Sequence, residues 1–312
     1  MYQPYIRGKQ FELIGLRELT TTLFAQKKDK ISPIIEPVKD TSTLKSTLRE
    51  LAAYDINFTV IINPQHGTFQ DSERILLAIR ESLGDYTNFQ VGVIFSSQIN
   101  HPSIIEVLRK FPDIVKKLTL IHQFMFDNIS EILVSYEEIA SIKYNVIDFS
   151  STSRRYYRNF DKATLVELDD YFASQDKNSD YLQTPESFFT EEHLHYMEEG
   201  FIGFSDYLTI GNEYSESGFL PYAVAIHLSH SDANNRILVR HFVSDSNTDQ
   251  SDVPGKFAEA LRKLISWCDA TGYNSIVIPD YREYYNSGHF PGLGTLKKLS
   301  LKNHIDLVLR LI

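Results

Sequence analysis

The first 150 residues alternate regularly between short apolar runs and longer amphipathic stretches. The apolar runs are hydrophobic at nearly every position, which is typical of strands buried on both faces. Because a helical stretch separates each run from the next, neighbouring strands are expected to pair in parallel. The predicted strands lie at 5–7, 32–38, 58–63, 89–96, 118–124 and 144–149, and the predicted helices at 9–24, 43–54, 71–83, 102–111 and 129–140.

The regular alternation of apolar runs and amphipathic stretches ends after Ser150. We interpret residues 151–200 as an elaborated βα connection inserted over the barrel mouth, with helices at 161–173 and 190–199 around a polar connector. The elements expected beyond it are a strand at 201–207, a hairpin with strands at 222–228 and 236–243, a helix at 255–270, a short strand at 275–278 and a helix at 294–311.

These elements predict an α/β fold, namely a (β/α)8 TIM-like barrel with an attached β-hairpin. The whole chain, residues 1–312, is expected to form a single domain. The strand count exceeds eight by one or two, so either the second hairpin strand lies outside the barrel or residues 201–207 do not form a full barrel strand; we favour the attached hairpin. An open doubly wound sheet is the alternative.

Charge and composition restrict the possible function classes. The formal net charge of −10 disfavours binding to nucleic acid, since the one compact basic cluster is Arg154, Arg155 and Arg158. The single cysteine, Cys268, fits a buried thiol in a reducing compartment. No signal-peptide pattern is present, and no apolar run approaches the roughly 18 residues that span a bilayer. We therefore predict a cytoplasmic protein without membrane contact.

Polar residues stand where the predicted strands end. In a parallel barrel these positions gather at one mouth, where barrel enzymes keep their chemistry. The carboxylates among them could share acid–base work or bind a divalent cation such as Mg²⁺ or Mn²⁺, with Glu36 and Asp148 as the metal ligands. Each carboxylate could instead cap a helix or pair with an arginine. The strand-end residues are Glu36, Asn63, Ser96, His122, Asp148 and Asp206.

The first βα turn carries two cations, Arg7 and Lys9, on either side of Gly8. Cationic donors beside a helix N-terminus suit a phosphate or carboxylate group. Arg7 could equally form an internal ion pair with Glu36 on the neighbouring strand. We expect Arg7, Lys9 and Asn63 to bind substrate if the mouth is an active site.

Three histidines lie on predicted strands. His122 stands at a strand end and is a candidate catalytic residue, whereas His227 and His241 could face each other across the hairpin and either bind a metal or pack together. The familiar metal, nucleotide and hydrolase motifs HExxH, CxxC, GxGxxG after a strand, GxxxxGK[ST] and GxSxG are absent.

Four segments resemble the Beta-protein family of bacteria and phages. They are YIRGKQFELIGLREL at 5–19, SPIIEP at 32–37, IGFSDY at 202–207 and HFVSDS at 241–246. The resemblance supplies no established activity and no catalytic residues to transfer. Because proteins of this family often stand in mobile genetic regions beside a second small protein, the resemblance implies a role in phage or plasmid conflict with a protein partner.

Two hypotheses about function follow. The first is a phosphodiesterase-like barrel hydrolase that acts on an anionic small molecule or phosphoester, with Glu36, Asp148, His122 and Asp206 as catalytic residues. The second is a non-catalytic interaction module whose aromatic and acidic surface around 151–220 binds a partner protein. Carboxylates converging in an open pocket favour the first, and carboxylates occupied by buried arginines favour the second.

Overall fold

A computed structural model describes residues 1–153, 155–216 and 220–312. An eight-stranded, nearly closed parallel barrel is its first unit, which confirms the predicted TIM-like fold. Isolated parallel bridges from Tyr2 to Ile31 and to Phe204 join the first strand to both neighbours. The strands in order are β1 (Tyr5–Ile6), β2 (Ile34–Ile35), β3 (Phe58–Ile61), β4 (Phe89–Phe95), β5 (Lys117–His122), β6 (Ser141–Asp148), β7 (Leu165–Asp169) and β9 (Gly203–Asp206), with β8 in the second unit.

The five predicted helices of the first half are all present. Side-chain caps fix where several begin: Thr41 Oγ1 accepts from the Leu44 N–H, Asp71 from the Glu73 and Arg74 N–H groups, and Asn100 from the Ser103 N–H. The helices are α1 (Gln10–Thr22), α2 (Ser42–Ala53), α3 (Ser72–Leu83), α4 (His101–Arg109) and α5 (Ile129–Glu137).

The interior of the barrel is an apolar layer to which every strand contributes. Since side chains alternate between the faces of a strand, these residues fix which positions point inward. All of them are buried. The layer consists of Tyr5, Ile34, Ile61, Ile94, Ile121, Tyr144, Val146, Val166, Leu168 and Tyr207.

The second unit is a three-stranded antiparallel sheet with its own helices and core. The strands are β8 (Glu186–Thr190), β10 (Ala225–Ser231) and β11 (Ile237–Val243), and their order is β10-β11-β8. The β10–β11 pair confirms the predicted hairpin. The helices are α7 (Val253–Thr271), α8 (Ile278–Ser287) and α9 (Leu293–Leu311).

Three sequence-based expectations differ from the structure. The segment 161–173, predicted as a helix, contains strand β7. The segment 275–278, predicted as a strand, forms a turn that leads into helix α8. The predicted helix at 190–199 is reduced to one turn, α6 (Glu192–His195). The Val-Glu-Leu alternation at 166–168 places the two apolar side chains in the barrel interior, so pairing with the neighbouring strands overrides the local helical pattern.

By its contacts the chain forms two compact units. The first comprises Met1–Asp170, Glu192–Tyr207 and Ile312, and the second Tyr171–Glu191 and Leu208–Leu311. The interpreted insertion at 151–200 is therefore divided between them. Folding of 1–312 as a single domain, and the position of 151–200 over the barrel mouth, stay predictions.

Candidate functional site at the barrel mouth

A ring of polar residues follows the apolar layer at the carboxyl ends of the barrel strands. Each member stands two positions after an inward-facing residue, except Tyr207, whose ring belongs to the apolar layer and whose hydroxyl reaches the polar one. TIM-barrel enzymes have their active sites at this end of the barrel. Here a ring of polar residues stands in place of a further apolar layer. We call these residues the mouth ring: Arg7, Glu36, Asn63, Ser96, Gln123, Asp148, Asp170 and Tyr207.

A buried ion pair occupies one side of the mouth ring. Arg7 Nε lies 3.2 Å from Glu36 Oε2, and the two residues are 6% and 1% exposed. The Tyr5 hydroxyl donates to the same oxygen at 2.8 Å, and the Gln65 backbone N–H donates to Glu36 Oε1 at 2.7 Å. Both carboxylate oxygens of Glu36 therefore accept from protein groups.

Tyr207 connects this ion pair to Asp148. Its hydroxyl donates to Asp148 Oδ2 at 3.1 Å and accepts from Gln123 Nε2 at 3.3 Å. Its ring centroid lies 4.9 Å from that of Tyr5 and 5.5 Å from the Arg7 guanidinium carbon. Two of the three carboxylates of the mouth ring, Glu36 and Asp148, thus belong to one buried network.

Asp148 is fully buried at the end of β6. Its Oδ1 accepts from the Ser150 N–H at 3.1 Å and the Ser150 hydroxyl at 2.5 Å, and the Ser151 hydroxyl donates to Oδ2 at 3.3 Å. Burial raises the pKa of the Asp148 carboxyl, and the hydrogen bonds from Ser150 and Tyr207 oppose the rise. The pKa of the Asp148 carboxyl is therefore higher than that of an exposed aspartate.

The pKa values of Tyr5 and Tyr207 are raised well above the usual range, first by burial and then by Glu36 and Asp148 respectively. Both phenols are accordingly neutral hydrogen-bond donors.

His66, which the sequence analysis did not select, belongs to the same region. Partial burial lowers the pKa of this imidazole, and the positive charges of Arg7 and Lys9 lower it further, whereas Glu36 opposes them. His66 is therefore neutral near pH 7 and able to accept a proton. Lys9 is the residue before helix α1, where a cation and a helix N-terminus stand together.

Two predicted catalytic residues face away from the mouth. His122 stands between Phe95 and Phe160, with ring centroids 5.0 and 4.4 Å away, and its Nε2 lies 3.0 Å from Asn145 Oδ1. Burial lowers the pKa of His122 to about 4. Asp206 accepts a hydrogen bond from the Tyr2 hydroxyl at 2.8 Å. Each is one residue from an inward position, and a shift of one residue along a strand reverses the face.

Asn63, a predicted substrate ligand, is engaged with the neighbouring strand. Its Nδ2 donates to the Ile94 carbonyl and its Oδ1 accepts from the Ile94 N–H, both at 2.8 Å. The side chain thus continues the pairing of β3 with β4 beyond the last strand residue.

The predicted metal ligands Glu36 and Asp148 do not belong to any group of three or more potential ligands in the described ranges 1–153, 155–216 and 220–312. The Arg7 guanidinium beside Glu36 also repels a cation. Their surroundings suit hydrogen bonding better than metal coordination.

The remaining candidate residues lie outside the mouth ring. His227 Nδ1 and His241 Nδ1 are 2.7 Å apart across the hairpin, and burial lowers their pKa values to about 3 and about 4. Arg155 is exposed, as is Arg158, whereas Arg154 lies outside the described residues.

No model of a known protein family matches this sequence, and no curated protein matches it significantly. Across the described part of the chain, the helices lack the combination of length and apolarity needed to cross a membrane.

Proposed function

We propose that the barrel mouth is the active site of a cytoplasmic hydrolase that acts on a small anionic substrate such as a phosphoester. The carrying observation is the buried part of the mouth ring, in which Arg7, Glu36, Asp148 and Tyr207 form one network above an apolar layer. Buried charges and polar networks cost stability unless they are well compensated, so a barrel needing only structural integrity gains little from this one.

The substrate anion is assigned to the two cations of the first βα turn. Arg7 offers a guanidinium in a buried setting, where charge-assisted hydrogen bonds to phosphate oxygens are strong. Lys9 adds a second positive charge next to the N-terminus of α1. In this proposal Glu36 is a positioning residue that fixes Arg7 from the neighbouring strand.

Proton transfer is assigned to His66 and Asp148. The neutral His66 imidazole removes a proton from the attacking water, whose oxygen bonds to phosphorus, and the Asp148 carboxylic acid protonates the leaving oxygen as its bond to phosphorus breaks. The shifts in the two pKa values support these roles, because one makes the base neutral and the other favours the acid form. Tyr207 positions Asp148 through its hydrogen bond.

A screen of phosphomonoesters, phosphodiesters and carboxylate esters tests this proposal. The full chain is assayed with chelator and with added Mg²⁺ or Mn²⁺, beside the Asp148→Asn and Tyr207→Phe variants. Tyr144→Phe is the matched control, because Tyr144 lies in the same apolar layer and its hydroxyl makes a long contact of 3.8 Å with Met1 Sδ. We expect hydrolysis that both mouth variants reduce at least tenfold and the control leaves unchanged. Folded protein without hydrolysis of any of these substrates would contradict the proposal.

One observation favours the second hypothesis, a non-catalytic module that binds a partner protein in phage or plasmid conflict. The Glu36 carboxylate is occupied by a buried arginine, a tyrosine and a backbone N–H, as expected if the network only stabilises the barrel. Under that hypothesis the Asp148→Asn and Tyr207→Phe variants would lose stability but no catalytic activity. Phosphate would not protect the chain from thermal unfolding.

A further inference from the structure

Three glutamates converge at a place that the proposed reaction does not use. Glu167 is on strand β7, Glu192 is the first residue of α6, and Glu199 follows that helix. One carboxylate oxygen from each lies within 4.8 Å of the other two. All three residues belong to the first compact unit.

Glu167 points to the outer face of the barrel wall, because its neighbours Val166 and Leu168 both point inward. The residue is only 3% exposed, and among the described residues no donor lies within hydrogen-bond distance of its buried Oε1. A buried carboxylate oxygen without a donor is costly, and native structures usually satisfy such an atom with water, an ion or a protein group.

We propose that Glu167, Glu192 and Glu199 bind a hard divalent cation of the Ca²⁺ type on the outer face of the barrel. Ca²⁺ takes oxygen ligands at about 2.4 Å, so two oxygens on opposite sides of one ion stand at most ~4.8 Å apart. The spacing of the three carboxylates meets this limit. Glu199 is exposed and Glu192 half-buried, so the cluster is open to solvent on the side of Glu199.

A shared proton is the competing explanation for the cluster. Burial, followed by the negative charges of Glu192, Glu199 and Asp169, raises the pKa of Glu167 to about 9. Without a cation the Glu167 carboxyl therefore favours its protonated form. A cation competes with this proton for the same carboxylate.

Calorimetric titration of the chelator-treated full chain with CaCl₂ at pH 8 tests the site. We expect saturable binding of one Ca²⁺ per chain. Glu199→Gln is expected to weaken binding at least tenfold, and Glu167→Gln to abolish it.

Glu198→Gln is the matched control, because Glu198 is an exposed neighbour outside the cluster. It removes the same charge from the same surface and is expected to leave the affinity unchanged. Absence of saturable binding to folded wild-type chain, or equal weakening by Glu198→Gln and Glu199→Gln, would overturn the proposal. Hydrolysis at the mouth is measured separately, so either proposal can fail alone.

Discussion

The hydroxyl of Tyr207 donates a 3.1 Å hydrogen bond to Asp148 Oδ2, and so joins the last barrel strand to the sixth at the mouth. The same phenol ring lies next to the guanidinium of Arg7. Through this residue the acid assigned to proton transfer and the cation assigned to the substrate share one buried network. The predictions below examine the parts of that network and the groups around it.

Removing the Tyr207 hydroxyl should destabilise the fold more than removing a comparable phenol. Tyr207→Phe deprives the buried Asp148 carboxyl of a donor, for which we expect a loss of about 1–3 kcal/mol in the free energy of unfolding. Tyr144→Phe should cost much less, since the contact of its hydroxyl with the Met1 sulfur is long and weak. Urea unfolding of both variants is the measurement, and equal losses would contradict the network.

The buried Arg7–Glu36 pair should behave as a coupled unit. Arg7→Met leaves Glu36 without its charge partner, for which we expect a loss of about 3–5 kcal/mol. Adding Glu36→Gln should recover part of this loss, because the uncompensated charge is removed. Urea unfolding of both single variants and the double variant gives the coupling free energy.

The exposed pair of Lys45 and Glu81, with its atoms 3.0 Å apart, is the control for that cycle. Solvent screens such a pair, so we expect little loss from Lys45→Met and little coupling. If the losses in the free energy of unfolding from Arg7→Met and Glu36→Gln simply add in the double variant, Arg7 and Glu36 do not interact as an ion pair.

His122 should make the protein sensitive to acid. Its pKa falls from 6.5 in the unfolded chain to about 4 in the fold, so the folded state binds fewer protons in this interval. Stability is therefore present above 6.5 and is lost as pH falls toward 4. His122→Gln should reduce the slope of the free energy of unfolding against pH by about 1.4 kcal/mol per pH unit. His195 is exposed, so His195→Gln should leave this slope unchanged. Identical slopes for all three proteins would refute the assignment.

Glu167 should produce the opposite dependence when divalent cations are removed. Its pKa rises from 4.5 to about 9, so the folded state holds a proton that the unfolded state has released. Stability is therefore present at acid pH and is lost as pH rises through this range. As pH rises from 4.5 to about 9, the free energy of unfolding of Glu167→Gln should increase relative to that of the wild type by about 1.4 kcal/mol per pH unit. Chemical unfolding in chelator at several pH values measures the difference, and a constant difference would contradict the shift.

The first six strands and five helices could be predicted from sequence because the strands are almost wholly apolar and several of the intervening helices begin at a capping side chain. Strand β7 could not, since its Val166-Glu167-Leu168 core is short and the polar Glu167 interrupts the apolar pattern. Only the pairing with β6 and β9 identifies it as part of the barrel.

The candidate site was predicted in part. Arg7, Glu36 and Asp148 follow inward positions and reach the mouth, whereas His122 and Asp206 stand one residue before Gln123 and Tyr207. Counting two residues on from Ile121 would have selected Gln123, because alternation along a strand is strict. His66 gave no comparable signal, because it lies in a connecting segment whose path depends on tertiary structure.

The central claim is that an anion binds at the barrel mouth. Hydrogen–deuterium exchange of the full chain with and without inorganic phosphate measures this at individual segments. We expect phosphate to slow exchange in the segments that carry Arg7, His66 and Ser150, with exchange in α7 unchanged. Unchanged exchange throughout, or protection confined to other segments, would contradict the account.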